Sequence, residues 1–314
     1  MLNSKGGYIL GMEVVTPTGM NLDIATEVAR SDLGRFGHQV AEDGLERFSY
    51  AKVEFTKHQN VDEKLQEMLG YVVESLVRQL PRVLNPIPLL IALPKGIEAV
   101  HVREWIIGSA LNEYISHVET IQVEGPRVVT HALKAMEKYD ALMCVSADSL
   151  FSQMASLTEK KAVMSNLNPW GLIPSEGAAG IVLCRKNLID TLKLTPKAQL
   201  GYVEVDDNPA DRRGIYRLVQ NASRVMDCFG EVYSDMANLR AHTEDYGFAL
   251  GARAEYFTNP NQPKLINELW GTMGCCSSLA LIAFTIREHH FKQPASLLIF
   301  GENKAKAFVQ LISG

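Results

Sequence analysis

The sequence predicts an α/β protein made of two similar series of strands and helices, and three observations carry that reading. Runs such as Ile87-Pro-Leu-Leu-Ile-Ala-Leu93 and Ala141-Leu-Met-Cys-Val-Ser146 are apolar on both faces, as in a sheet covered by helices on each side. Such runs alternate with helix-period segments along the chain, the pattern of an α/β fold. Near the end, Leu279–Ile286 is apolar nearly all round, so its helix belongs inside the protein. That helix, about 16 residues with its flanks, is too short to span a bilayer, which needs roughly 20.

In chain order, Gly7–Val15 reads as a strand closed by the turn Thr16-Pro-Thr-Gly19. Asn21 or Asp23 caps a helix to about Arg30. Phe48–Phe55 alternates as a strand, and Asp62 caps an amphipathic helix to about Leu80, with Leu65, Met68, Leu69, Val72, Val73 and Leu76 on one face. After strand 87–93 come a helix over Val100–Ser116, a strand over Val118–Val123 and a helix from Gly125-Pro126 to Lys138, where proline is tolerated in the first turn. Strand 141–146 leads into a polar, irregular link over Asp148–Asn168, then a glycine-rich turn and strand through Ser175–Cys184. Lys186–Pro196 is polar and turn-like, and the boundary falls there, giving halves 1–190 and 191–314. The second half runs as strand Gln199–Val205, helix Gly214–Phe229, strand Glu231–Ala237, helix Leu239–Phe257, the apolar helix and a closing hairpin over Ala295–Phe300 and Lys306–Ile312. The expectation is two five-stranded mixed sheets with helices between and outside them, the Leu279–Ile286 helix in the middle layer.

The composition excludes several classes. With 314 residues, 46% hydrophobic and 21% charged, the chain is of ordinary globular make-up. A net charge of −5 with scattered basic residues gives no reason to expect nucleic acid or an anionic membrane as partner. No signal peptide or membrane span is read. The five cysteines, Cys144, Cys184, Cys228, Cys275 and Cys276, are odd in number and mostly in apolar runs, which reads as reduced thiols of a cytoplasmic protein. No Cys-x-x-Cys or His/Cys cluster has zinc spacing.

Three segments resemble the β-ketoacyl synthases of the thiolase superfamily. Gly11-Met-Glu-Val-Val-Thr-Pro-Thr-Gly19 is similar to their opening strand, and Ser175-Glu176-Gly177-Ala178-Ala179-Gly180 to their Gly-Glu-Gly-Ala-Gly turn. Trp270-Gly271-Thr-Met-Gly274-Cys275-Cys276-Ser277 occupies the place of their Gly-His-x-x-Gly-Ala-Ala-Gly segment. The resemblance implies a thiolase-like fold, two βαβ halves in a five-layered α-β-α-β-α architecture, with Glu176, Gly177, Gly271 and Gly274 shaping the pocket. It implies no cofactor. The partners it implies are a second copy or a catalytic ketosynthase, joined along strand 118–123, and an acyl carrier protein.

The same resemblance locates a condensing enzyme's chemistry: a cysteine at a helix N-terminus and two histidines that stabilise an enolate. The nucleophile window here reads Gln122-Val-Glu-Gly-Pro-Arg127. Gly271 stands where one histidine belongs, and His242-Thr243 is the remnant of the other, or the start of a surface helix capped by Thr243. The reading is therefore a catalytically degenerate homologue, similar to chain-length-factor subunits in fatty-acid or polyketide-type biosynthesis. The alternative is an acyltransferase or thioester hydrolase using Cys275 or Cys276, whose place at a helix start favours thiolate, with His242 as base. Glu244 or Asp245 as an acid/base is a further candidate, against the plainer role of adjacent carboxylates facing a helix dipole.

Overall fold

The computed structural model describes residues 7–33, 36–42, 44–207 and 211–314. Its elements in order are β1 (Tyr8–Val15), α1 (Leu22–Arg30), β2 (Gly37–Val40), β3 (Arg47–Tyr50), α2 (Val61–Gln79), β4 (Ile87–Leu93), α3 (Ala99–Gly108), β5 (Ile115–Gln122), α4 (Gly125–Ala135), β6 (Ala141–Ser149), α5 (Met154–Glu159), β7 (Glu176–Cys184) and α6 (Lys186–Leu192). They continue as β8 (Ala198–Asp206), α7 (Gly214–Ala222), β9 (Glu231–Ser234), α8 (Arg240–Arg253), β10 (Lys264–Leu265), α9 (Asn267–Trp270), α10 (Ser277–Glu288), β11 (Ala295–Ile299) and β12 (Lys306–Ile312).

The strands run in the order β10-β9-β11-β12-β8-β1-β7-β6-β4-β5. Numbered within its own half, each set of five strands follows one order, first-fifth-fourth-second-third. The directions match as well. β1–β7 and β7–β6 are antiparallel while β6–β4 and β4–β5 are parallel, and β8–β12, β12–β11, β11–β9 and β9–β10 repeat that series. Two separate sheets were the expectation. Instead, hydrogen bonding passes from one set to the other through two residue pairs, Tyr8 with Gln199 and Ile9 with Ala198.

Five layers follow from what each helix touches. α2 and α3 cover the outer face of the first set, and α7 with α8 covers that of the second. Between the sets lie α4 and α10, and each packs on strands from both. All ten residues from Ser277 to Ile286 are buried, so the apolar helix is the middle layer. Apolar side chains from α4, α10 and the inner faces of both sets form one continuous cluster. At roughly 25 cal/mol per Å² of apolar surface removed from water, this is where burial stabilises the fold most.

Several boundaries differ from the sequence reading. The expected strand over 48–55 is only β3, paired with β2, a polar strand that alternation did not show. Beyond Tyr50 the backbone bonds elsewhere: Ala51 N–H to Pro174 O and Val53 N–H to the Glu176 carboxylate. The helix over 100–116 stops at Gly108, because Ser109 caps a short 3-10 turn over Ala110–Tyr114. The segment after Arg185 holds α6 rather than only turns. Helices 125–138, 214–229 and 239–257 all end earlier than expected, at Ala135, Ala222 and Arg253. Strand β6 reaches Ser149, three residues past the expected end, carrying Asp148 into the sheet. β5 lies at one edge of the strand order.

Candidate functional site

In α/β sheets, ligands bind beyond the carboxyl ends of parallel strands. Here those ends gather the segments that the sequence singles out. β5 is followed by Val123-Glu124 and then by Gly125-Pro126 at the start of α4. β6 ends near Asp148, β9 leads to Asp235, and β10 leads through α9 to the 3-10 turn Gly274–Cys276 and α10. The starts of α4 and α10 touch: a Cβ on Gly125 would lie 3.2 Å from Gly274 O.

Asp148 ties this junction together. Its carboxylate accepts the Cys275 N–H at 2.7 Å and its own neighbour's N–H, Ser149, at 2.7 Å. One of the otherwise unpartnered donors at the start of α10 is satisfied in this way. Gly274 makes the approach possible, since a Cβ there would stand 2.0 Å from Asp148 Oδ2. Burial pushes Asp148 up to about 6, opposed by the two N–H bonds.

The expectation of a thiolate at Cys275 or Cys276 is overturned. Both side chains are fully buried. Burial first, and the Asp148 charge second, raise both thiols well above their ordinary range. The helix N-terminus favours thiolate, but a carboxylate already occupies that position, so desolvation and like charge prevail. Cys275 Sγ lies 3.1 Å from Ser146 Oγ and near the Ala92 and Ala147 carbonyls; Cys276 Sγ points to Met273 O at 2.9 Å.

His242 is not paired with either cysteine. Its Nδ1 accepts the Ala237 N–H at 3.2 Å and its ring stacks on Phe300 with centroids 4.8 Å apart. Burial, with Lys306 nearby, lowers it to about 3, so it is neutral and a poor base at pH 7. Glu244 is a surface residue bonded to Arg212 at 2.9 Å. Asp245 is buried and accepts the Ile215 and Tyr216 N–H groups at 3.0 Å each, so it caps α7 and is no acid/base. Thr243 does not cap α8; its hydroxyl donates to Leu239 O. Glu176 pairs with buried Lys64 and accepts Val53 N–H and Ser149 O–H, both at 2.9 Å. Gly177 lets β7 approach β1, because a Cβ would lie 2.5 Å from Val15 O.

Two further acids face the junction. Asp235 accepts Phe300 N–H at 2.6 Å and Gly301 N–H at 3.1 Å, fastening the β11–β12 turn to β9. Burial pushes it up to about 6. In that turn Glu302 is raised to about 7 by burial and then by Asp148. Among the described residues no group of three His, Cys, Asp or Glu side chains is set to hold a metal ion.

A cavity of about 550 Å³ opens beside these loops. Its apolar wall includes Met164, Ile173, Met236, Leu265 and Leu269. Thr243, next to His242 in the first turn of α8, and Thr272 beside Gly271 both border it, whereas Cys275 and Cys276 do not. Segment 171–175 is stitched to the Gly271 turn by Thr272 N–H to Ile173 O and Ser175 N–H to Thr272 O, at 2.8 and 3.0 Å. Asn267, Asp235 and Asp148 were not chosen from the sequence as site residues. The only sequence trace of Asp148 was its place just past an apolar strand.

The Asp148 arrangement has a pH consequence. Its carboxyl ordinarily titrates near 3.8 and in the fold near 6. Between those values the unfolded chain has released a proton that the folded chain keeps. Stability is therefore lost as pH rises from about 4 to about 6, and the contribution is level above that. Asp148→Asn lacks this component, so the wild-type-minus-variant difference in denaturant stability falls across that window. A flat difference would show that the carboxyl ionises normally.

No protein-family model and no curated protein sequence matches the chain. Solved structures do. A type II polyketide synthase ketosynthase in complex with its acyl-carrier protein aligns with 99% of this chain and 100% of its own, at TM-score 0.73 and 12% identity. The ishigamide ketosynthase/chain length factor aligns over 98% and 99%, at TM-score 0.69 and 15% identity. Peroxisomal 3-ketoacyl-CoA thiolase of Saccharomyces cerevisiae, described as five-layered and built from two core domains of identical topology, aligns over 99% of each chain at TM-score 0.63 and 11% identity. The chain thus has the thiolase-type, ketosynthase-like fold, in agreement with the duplicated strand order.

Proposed function

We propose that this chain is a ketosynthase homologue without condensing chemistry, acting as a chain-length-factor-like subunit that binds an acyl chain or an acyl carrier protein in fatty-acid or polyketide-type biosynthesis. The observation that carries this reading is the junction between β5 and α4. It is formed by Val123, Glu124, Gly125 and Pro126, none of which can hold an acyl group as a thioester or ester. A cavity with an apolar wall lies beside the Gly271–Thr272 turn and the Ala237–Asn238 loop. Among the similar structures, one includes a chain length factor and another an acyl-carrier protein bound to its ketosynthase.

In this reading the halves 1–190 and 191–314 act as one unit around α4 and α10. The second copy, or a catalytic ketosynthase, pairs along β5, an edge strand whose free backbone groups invite another strand. The alternative, acyl transfer or thioester hydrolysis at Cys275 or Cys276, is opposed by the full burial of both thiols. Sedimentation at tens of micromolar tests the pairing. A dimer, or a stable complex with a co-expressed ketosynthase, is the expected result. A monomer that retains neither would end the subunit reading.

A further inference from the structure

The geometry points to the turn between β11 and β12 as a pH-released latch over the start of α4, closed while Glu302 holds a proton and opening once it ionises. Glu302 sits in that turn. Its Oε1 accepts an N–H of Asn303 at 3.1 Å, whereas its Oε2 is buried and has no hydrogen-bond partner among the described residues. A buried carboxylate oxygen without a partner is far more costly than the neutral acid. Among the described residues, the charged groups facing Glu302 are Asp148 on β6, Asp235 at the end of β9, Glu124 just before α4 and Lys306 on β12. The thiols of Cys275 and Cys276, before α10, face it as well. Three carboxyls thus stand against one ammonium, and Lys306 Nζ gives its hydrogen bonds to Phe300 O and Asn303 O, at 2.7 and 2.8 Å.

Two fastenings bound the turn. Asp235 holds its first end through the Phe300 and Gly301 N–H groups, and Lys306 closes the other end. Gly301 has φ 60° and packs so closely on α4 that a Cβ would lie 2.8 Å from Pro126 Cδ. Lifting the turn uncovers Pro126 and the start of α4, and it carries the Glu302 carboxyl out to water. Glu302 ordinarily titrates near 4.5, and near 7 in the closed turn. The closed state therefore keeps a proton that the open state has released. Its advantage is complete below about 4.5, falls as pH rises to about 7 and is level above that. Asp148 and Asp235 are raised only to about 6, so the upper part of this window belongs mainly to Glu302.

Hydrogen exchange of the whole chain tests the latch. Peptides spanning residues 300–306, read by mass spectrometry and corrected for the intrinsic exchange rate at each pH, give the opening constant of the turn. Glu302→Gln keeps the side chain's shape but cannot ionise. The ratio of the wild-type to the Glu302→Gln opening constant is expected to rise about fivefold between pH 6 and 7, and less than twofold beyond. Asp148→Asn removes a charge that faces Glu302, so the wild-type rise should move to lower pH. Peptides from the middle of α10 report unfolding of the whole chain, and the turn should exchange faster than they do throughout. A wild-type opening constant that is flat from pH 5 to 7 overturns the inference without any variant. So does the same rise in Glu302→Gln, or protection of the turn equal to that of α10, which would mean that it opens only with the entire fold.

Discussion

Incubated with acyl and malonyl thioesters, the purified protein is expected to show no added mass and no decarboxylative condensation. Condensation of this type passes through an acyl group held on a nucleophile, and the β5–α4 junction offers only Val123, Glu124, Gly125 and Pro126. In a hydrolase whose catalytic residues were removed, loss of the nucleophile cost about six orders of magnitude in rate. The nearest thiols do not substitute, since Cys275 and Cys276 are sealed and their ionisation is opposed by burial and by Asp148. Gly125→Cys is not expected to restore activity. Its Cβ would lie 3.2 Å from Gly274 O, which leaves little room at the junction, and on the reading proposed above Gly271 stands in place of the enolate-side donor. Intact-mass spectrometry decides the matter. An acyl adduct that disappears in Cys275→Ala or Cys276→Ala would replace the subunit reading with acyl transfer.

Gly271→Ala is expected to destabilise the protein by about 3–5 kcal/mol, as measured by denaturant unfolding. Gly271 has φ 73° and ψ −168°, a region essentially confined to glycine, where another residue costs roughly 1–3 kcal/mol. A Cβ there would also sit 2.8 Å from Ile173 O and 3.0 Å from Ser175 Cβ, and overpacking of this kind adds roughly 1–3 kcal/mol. Gly271→His should be at least as damaging and should bring no activity. The glycine where the resemblance expects a histidine is thus required by its own turn. A loss below about 1 kcal/mol for the alanine variant would show that the turn relaxes freely.

Much of the fold was legible because its signals are local and strong. The apolar runs at 87–93 and 141–146 and the amphipathic face of α2 depend on nothing distant. The middle helix declared itself by having no polar face. The polar pair β2–β3 and the early end of α3 did not show, since partner strands and caps override alternation there. The candidate site was less legible. Cys275 and Cys276 carry the right chemistry at the right place on a helix, but burial and the Asp148 carboxylate, 127 residues away in sequence, reverse their ionisation. Asn267 looked like an ordinary polar residue before a helix. Only the fold puts its amide nitrogen on the Asp235 carbonyl and leaves its buried oxygen without a partner among the described residues.

The placement of α10 also bears on the order in which the protein can be assembled as it is made. This helix belongs to the second half by sequence, yet it lies on β1 and β7 of the first. While the ribosome is still synthesising the stretch up to Glu288, the inner surface of the first five strands has α4 as a cover but lacks α10. An emerging first half therefore presents a sticky apolar face while residues 185–288 of the 314 are made, and that face is the surface a chaperone would hold.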